Sequence, residues 1–568
     1  MPHGGGGHDD AVPPGVAVVQ RRSRREEALA GTATLVRLAL RRDRVILPVW
    51  VGTLSLLLIV SVASVVALYG TESERLSYAT VAAGSLVARA FDGPMTGTSV
   101  GAITMTETFG ILAILVGVMS VQAAVRHTRQ EEATGRTELV GAAPVGRRAA
   151  LTAAVVVVSL ANLVLAVLAI VVLTAHGLPF AGAVAAGLGL AGVGVTFGSV
   201  AVVGAQLASS SRGANGLGAA VVGGAFGLRA LGDAAGEVAA SGVEVISAWP
   251  SWLSPIGWGQ QLRPFADERW WILLLFAATA LCATAVAYVL AGRRDVGAGI
   301  VPPRPGPATA SWTLRSPLGL AFRLQRSGWA AWTAGIVLVA AAFGGIGEEA
   351  EEIVATSDEL VAALDLLGEG ALTDLFLGFA FGILGLAAAG YAIQALLRLR
   401  AEEVDGRAEP LLAAPVGRVR WLTGHLVCAA VGAASALVLA GFAAGVGFAA
   451  ATGDASRIVE LTIAVTAQLP AVLALGGFVV AMVGLVPRFA VGLAWAGLVV
   501  SLVVGQLGAL LDLPQAVLNL SPFTHVPAAP AEELTATPLL VLSVTALVLA
   551  GLGAAGLRHR DVGGSSGT

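Results

Sequence analysis

The 568-residue sequence contains no lysine; all 34 of its basic residues are arginine. That absence excludes a GxxxxGK[ST] phosphate-binding loop, whose lysine holds the β- and γ-phosphates, and any lysine Schiff-base chemistry. Charge of either sign is scarce, at 12% of residues against about 25% in soluble domains. The net charge of −3 is too small to suggest nucleic acid as a partner. Two cysteines, Cys282 and Cys428, stand inside apolar runs and supply neither a disulfide framework nor a metal cluster. The seven histidines form no HExxH pattern. What is present is apolar surface, 56% of residues with a mean hydropathy of +0.82, more than a water-soluble fold can bury. The sequence predicts an all-α polytopic membrane protein.

A spanning helix needs about 20 mostly apolar residues. Twelve such runs are predicted, at 45–69, 102–125, 149–174, 180–207, 215–232, 271–291, 329–346, 375–397, 421–451, 459–486, 489–511 and 536–557. The first lies behind a polar, Arg-rich leader and is expected to act as an uncleaved anchor. With the N-terminus cytoplasmic, 28 arginines fall in inner segments and 6 in outer ones, as the positive-inside rule requires. Both termini are therefore expected to be cytoplasmic.

The domain boundaries follow composition. Residues 1–26 are a flexible N-terminus, 27–300 a first six-helix half and 301–313 a linker stiffened by Pro302, Pro303, Pro305 and Pro307. Residues 314–560 form a second six-helix half and 561–568 a flexible tail. Each half opens with an Arg-rich amphipathic stretch, 27–44 and 314–328, expected to lie along the inner leaflet. Outside, residues 347–374 carry nine acids and no base, a solvated loop or a collar for cations. Trp249, Trp252, Trp258, Trp270 and Trp271 suggest an outer aromatic belt, or a short helix capping an outer mouth.

The halves are copies. The inner loop from Arg129 to Arg147 and the loop from Arg400 to Arg418 share Arg-x-Glu-Glu-x-x-Gly-Arg-x-Glu and Ala-Ala-Pro-Val-Gly-Arg at an offset of 271. Upstream, Phe109-Gly110-Ile111-Leu112 and Gln122 recur 272 positions on, so one extra residue precedes the first loop. Downstream, Leu253-Ser254-Pro255 recurs as Leu520-Ser521-Pro522. Six spans per half predict a parallel repeat about an axis along the membrane normal. Topology alone accounts for the arginines, and an i,i+4 pair such as Glu132–Arg136 supports a short helix. The repeated acids, glycine and Ala-Pro-Val-Gly-Arg ending are explained better by docking of a cytoplasmic partner.

This loop resembles that of the ATP-binding cassette type-2 transport permeases. More narrowly, it resembles fused actinobacterial permeases known as exporters of polyketide antibiotics. The strings Ser254-Pro255-Ile256-Gly257-Trp258 and Ser521-Pro522-Phe523-Thr524-His525 fit the same group, and the likeness covers essentially the whole chain. It implies a non-catalytic permease subunit in a bacterial plasma membrane, exporting a lipophilic or amphiphilic compound. ATP and magnesium would sit on a separate ATPase subunit, in dimeric form, with no cofactor on this chain. The coupling loops implied are Glu131, Glu132, Gly135, Arg136 and Glu138, flanked by Arg129 and Pro144, and Glu402, Glu403, Gly406, Arg407 and Glu409, flanked by Arg400 and Pro415. The copies differ where Thr137 and Leu139 become Ala408 and Pro410.

Two other classes make their own demands on the sequence. An ion-coupled carrier needs ionisable groups in the spans. Glu107, Arg229 and His425 are the candidates, and each is expected to snorkel to an interface. An intramembrane enzyme would need a catalytic cluster. The GxSxG string at Gly97–Gly101 lacks a strand–turn–helix setting, and the GxGxxG at Gly187, Gly189 and Gly192 reads as close helix packing.

Overall fold

The computed structural model describes residues 28–295, 297–302, 306, 308–346, 372–508 and 513–560. The chain forms two compact units, Met1–Pro305 and Gly306–Thr568. Among the described residues, eleven helices are long and apolar enough to cross a membrane, and a shorter apolar one covers Ala490–Gln506. The protein is an all-α polytopic membrane protein.

Unit 1 begins with α1 (Thr32–Arg42), an amphipathic helix separate from the first span, α2 (Ile46–Leu68). Two short helices, α3 (Glu72–Gly84) and α4 (Leu86–Phe91), lead to α5 (Val100–Val125). A short helix, α6 (Arg136–Gly141), precedes the spans α7 (Ala149–Ala175), α8 (Phe180–Leu207) and α9 (Ser211–Ala234). A small hairpin pairs Glu237–Val238 with Val245–Ile246, and α10 (Pro255–Gln261) precedes α11 (Ile272–Gly292). The Ser99 hydroxyl of the GxSxG string caps α5, accepting from the Ala102 N–H at 3.1 Å. Gly187 of the GxGxxG string packs in α8 so closely that a Cβ would stand 2.7 Å from the Ala166 carbonyl.

Unit 2 repeats the order. It comprises α12 (Pro317–Ile346), α13 (Leu372–Val404), α14 (Ala408–Ala413), α15 (Arg418–Thr452), α16 (Ile458–Thr466), α17 (Leu469–Leu485), α18 (Ala490–Leu507), α19 (Gln515–Leu518) and α20 (Ala536–His559). One expectation is corrected. The stretch 314–328 is not a separate interfacial helix; from Pro317 it continues into the span, since no breaker interrupts α12. The tenth span is found where expected, as Ile458–Leu485, with a turn at Ala467–Gln468 between α16 and α17. Of the acidic stretch 347–374, residues 347–371 lie outside the described residues, while Asp374 pairs with Arg457 at 2.7 Å.

In each unit the second span is the central one. The most apolar windows of α5 and α13 are 72% and 78% buried, against 22% and 17% for α11 and α20. Each unit has its own core, built around Phe109 and Phe197 in the first and Phe381 and Trp421 in the second. The outer spans leave their apolar faces for lipid.

The extra residue before the first loop takes a definite form. From α5 the chain continues through a π turn, Arg126–Gln130, into Glu131–Ala133, whereas α13 runs regularly to Val404. A π turn is what one residue inserted into an α-helix produces. It lets the loop beyond keep its repeated geometry.

Candidate functional site

The two repeated loops end their helices alike. Gly135 and Gly406 have φ of +72° and +69°, a left-handed conformation that only glycine adopts without cost. No atom would crowd a Cβ at either position, so the backbone turn alone demands glycine. Beyond the turn come the short helices α6 and α14.

Of the repeated acids, Glu132 and Glu403 point inward. Glu132 takes two hydrogen bonds from the Arg294 guanidinium, one at 2.8 Å, and another from Arg129, which is 1% exposed. Arg294 follows the end of α11 and also reaches the Gln206 side chain at 2.7 Å. In unit 2, Glu403 bonds to Arg400 at 3.1 Å and to Arg560, which follows α20. Arg294 and Arg560 stand 266 positions apart, so each half joins its loop to the end of its last span by the same contact. The closing arginine of the motif adds a second tie. Arg147 donates to the Gly292 carbonyl at 3.3 Å, and Arg418 donates to the Leu557, Arg558 and Arg560 carbonyls at 3.3, 3.1 and 2.7 Å. A cation there satisfies orphan carbonyls at a helix C-terminus.

The remaining contacts differ between halves. Glu131 pairs with Arg42 of α1 and lies 3.8 Å from Arg136. The expected Glu132–Arg136 pair is therefore replaced, because the turn at Gly135 changes the helical phase. Glu402 accepts from the Trp421 indole at 3.2 Å and pairs with Arg398 and His425 at 3.3 and 3.5 Å. What faces solvent is the tip: Arg136, Glu138, Leu139 and Pro144 in the first loop, and Arg407, Glu409, Pro410 and Pro415 in the second.

Asp43, just after α1, straps that helix to the π turn. It accepts from Arg126 and pairs with the His127 imidazole, both at 2.8 Å. His127 is thus a buried partner of Asp43. Burial alone would raise the Asp43 carboxyl, but the His127 and Arg126 hydrogen bonds and charges outweigh it and hold it below its ordinary value. A depressed carboxylate contributes stability present above its unfolded pKa and lost as pH falls through the folded one. The melting temperature of the purified chain is expected to fall below about pH 4, with Asp43→Asn flattening part of that acid limb. An unchanged limb in the variant would exclude the strap.

At the opposite end of unit 1, Arg229 does not snorkel. It is fully buried, 3.5 Å from Asp233, and its Nη2 donates to the Phe91 carbonyl at 2.8 Å. The Phe226 ring lies 4.6 Å from the guanidinium carbon. Asp92 stands nearby in the connecting segment. Burial first, and the charge of Glu107 second, push its carboxyl up to about 7 against the pull of Arg229. His425 is likewise enclosed, 3.0 Å from the Gln325 amide. Neighbouring helices supply partners that a single span cannot reveal. Among the described residues, no group of His, Cys, Asp or Glu is placed to hold a metal ion.

Two units with the same order of spans, each with its second span at the core and a charged loop fastened to its last span, make a duplicated polytopic membrane protein. The sequence is 40% identical over 548 residues to the multidrug efflux system permease protein Rv1217c of Mycobacterium tuberculosis, covering 95% of this chain and 97% of the relative. Residues 314–558 match the family described as multidrug efflux system permease Rv1217c, C-terminal domain. The chain belongs to this family of efflux permeases.

Proposed function

We propose that this chain is the membrane-spanning subunit of an ATP-binding cassette exporter of the type-2 permease kind. It moves a lipophilic or amphiphilic compound, antibiotic or drug-like, out across a bacterial plasma membrane, with both termini cytoplasmic. A separate ATPase, acting as a dimer, binds ATP and magnesium and docks on the tips of the two loops. The observation that carries this reading is the repeated fastening: Glu132–Arg294 and Glu403–Arg560 make each exposed tip rigid with the last span of its half. A force applied at a tip then moves a span instead of bending a loop. The absent lysine supports hydrolysis on another chain, and the relative's name supports drugs as cargo.

The test is gentle purification from the native membrane, followed by reconstitution. An ATPase subunit is expected to co-purify, and export from vesicles to require both it and ATP. The buried Asp92, Arg229 and Asp233 group favours a second reading, an ion-coupled carrier acting alone. Transport by the purified chain under a proton or sodium gradient, without ATP, would establish that reading instead.

A further inference from the structure

Between α17, α18 and α20, unit 2 holds a half-open cavity of about 760 Å³, with Asn519, His525 and Thr537 exposed along it. Small-molecule sites commonly occupy about 300–1,000 Å³, with apolar walls and a few polar groups that fix orientation. Here the walls are residues such as Leu475, Phe478 and Val500, and polar atoms enter from Asn519, His525 and Thr537.

The other half has equivalent positions, and there aromatic rings occupy them. Ser254 and Ser521, 267 positions apart, cap equivalent turns: the first accepts from the Ile256 and Gly257 N–H groups, the second from that of Phe523. From these anchors, Trp252 corresponds to Asn519 and Trp258 to His525. In the last spans, Arg294 with Arg560 and Leu273-Leu274 with Leu539-Leu540 fix an offset of 266, so Trp271 corresponds to Thr537 and Phe276 to Leu542. All four counterparts line the cavity.

In unit 1 the four aromatics pack in two pairs. Trp252 stacks on Trp271 with centroids 5.9 Å apart and planes 8° apart, and Trp258 meets Phe276 edge-on at 5.6 Å. The Trp258 indole N–H donates to the Trp252 carbonyl at 2.6 Å. Phe276 lies so close to α8 that a Cβ on Gly192 would come within 2.6 Å of its ring. Unit 2 has exchanged three indoles and a phenyl for an amide, an imidazole, a hydroxyl and a leucine. That exchange removes flat ring volume and leaves hydrogen-bonding groups at its edge.

We propose that unit 2 binds a planar, uncharged aromatic compound in this cavity, its rings standing where unit 1 places indoles and its polar edge bonded to Asn519, His525 and Thr537. The role of that compound as exported cargo rests on the reading above; the binding site does not.

The test uses the full-length chain in lipid nanodiscs and N-phenyl-1-naphthylamine, a neutral aromatic fluorophore with one N–H, titrated against empty nanodiscs. Wild type is expected to bind it saturably. The double variant Asn519→Trp, His525→Trp, which rebuilds the unit 1 filling, should bind about tenfold more weakly. Val438→Trp, on an exposed face of α15, should bind as wild type. Asn519→Ala with His525→Ala, which adds no bulk, should weaken binding without filling the space, so a loss there is not a folding defect of the tryptophan variant. Equal binding by wild type and the filled variant overturns the proposal, as does absence of saturable binding to wild type. Native mass spectrometry finding a phospholipid displaced by the filled variant, with dye binding unchanged, overturns it in favour of an acyl-chain crevice. Co-purification of an ATPase with the same variants reads the export proposal separately, so either can fail alone.

Discussion

Glu132→Gln is expected to lower the melting temperature of the purified chain by about 10 °C. The carboxylate is the shared partner of Arg129 and Arg294, whose side chains are 1% and 8% exposed. Removing it leaves two enclosed cations without their counter-charge, and breaking a buried pair from one side costs about 3–5 kcal/mol. For a half of this size each kcal/mol moves the midpoint by about 2–4 °C. Glu138→Gln, on the exposed tip of the same loop, should stay within about 0.5 kcal/mol of wild type. Adding Arg294→Met to Glu132→Gln should recover part of the loss, since the stranded charge is then gone. A drop of less than about 2 °C in the single variant would show that the clamp carries no stability.

Leu139→Asp should behave in the opposite way. Leu139 is 78% exposed at the loop tip, so an acid there leaves the fold intact and melting unchanged. Association with the proposed ATPase should weaken at least about tenfold, since an apolar anchor at an interface core is exchanged for an unpaired charge. Glu132→Gln should retain association yet weaken ATP-driven export, because the tip is present but keeps only the Arg147–Gly292 tie to α11. The two variants thus separate docking from transmission. Retained association in Leu139→Asp would move the docking surface elsewhere.

The spans were legible because about 20 apolar residues is a length set by the bilayer itself. The copying of the loop was legible too, as was the extra residue before it. The direction of the acids was not. Glu132 faces inward because a π turn and a left-handed glycine set its phase, and its partner Arg294 lies 162 residues away. Neither the turn type nor so distant a contact is written in local periodicity. The same limit misplaced Arg229 and His425: a lone charge in a span reads as snorkelling until the neighbouring helix that answers it is known. In α12, the interleaved Leu318, Leu320, Phe322, Arg323 and Arg326 read as a surface helix, yet the helix continues unbroken to Ile346.

The π turn at Arg126–Gln130 has a mechanical consequence. A regular helix resists twisting because each N–H is held four residues back, whereas a turn with one residue too many can pass that residue along the helix. Losing or regaining the extra residue, rather than passing it along, would turn the segment beyond it by about 100°. The first loop is therefore mounted on a compliant joint and the second, at the end of an unbroken α13, on a stiff one. Equal forces at the two tips would then produce unequal displacements in the two halves.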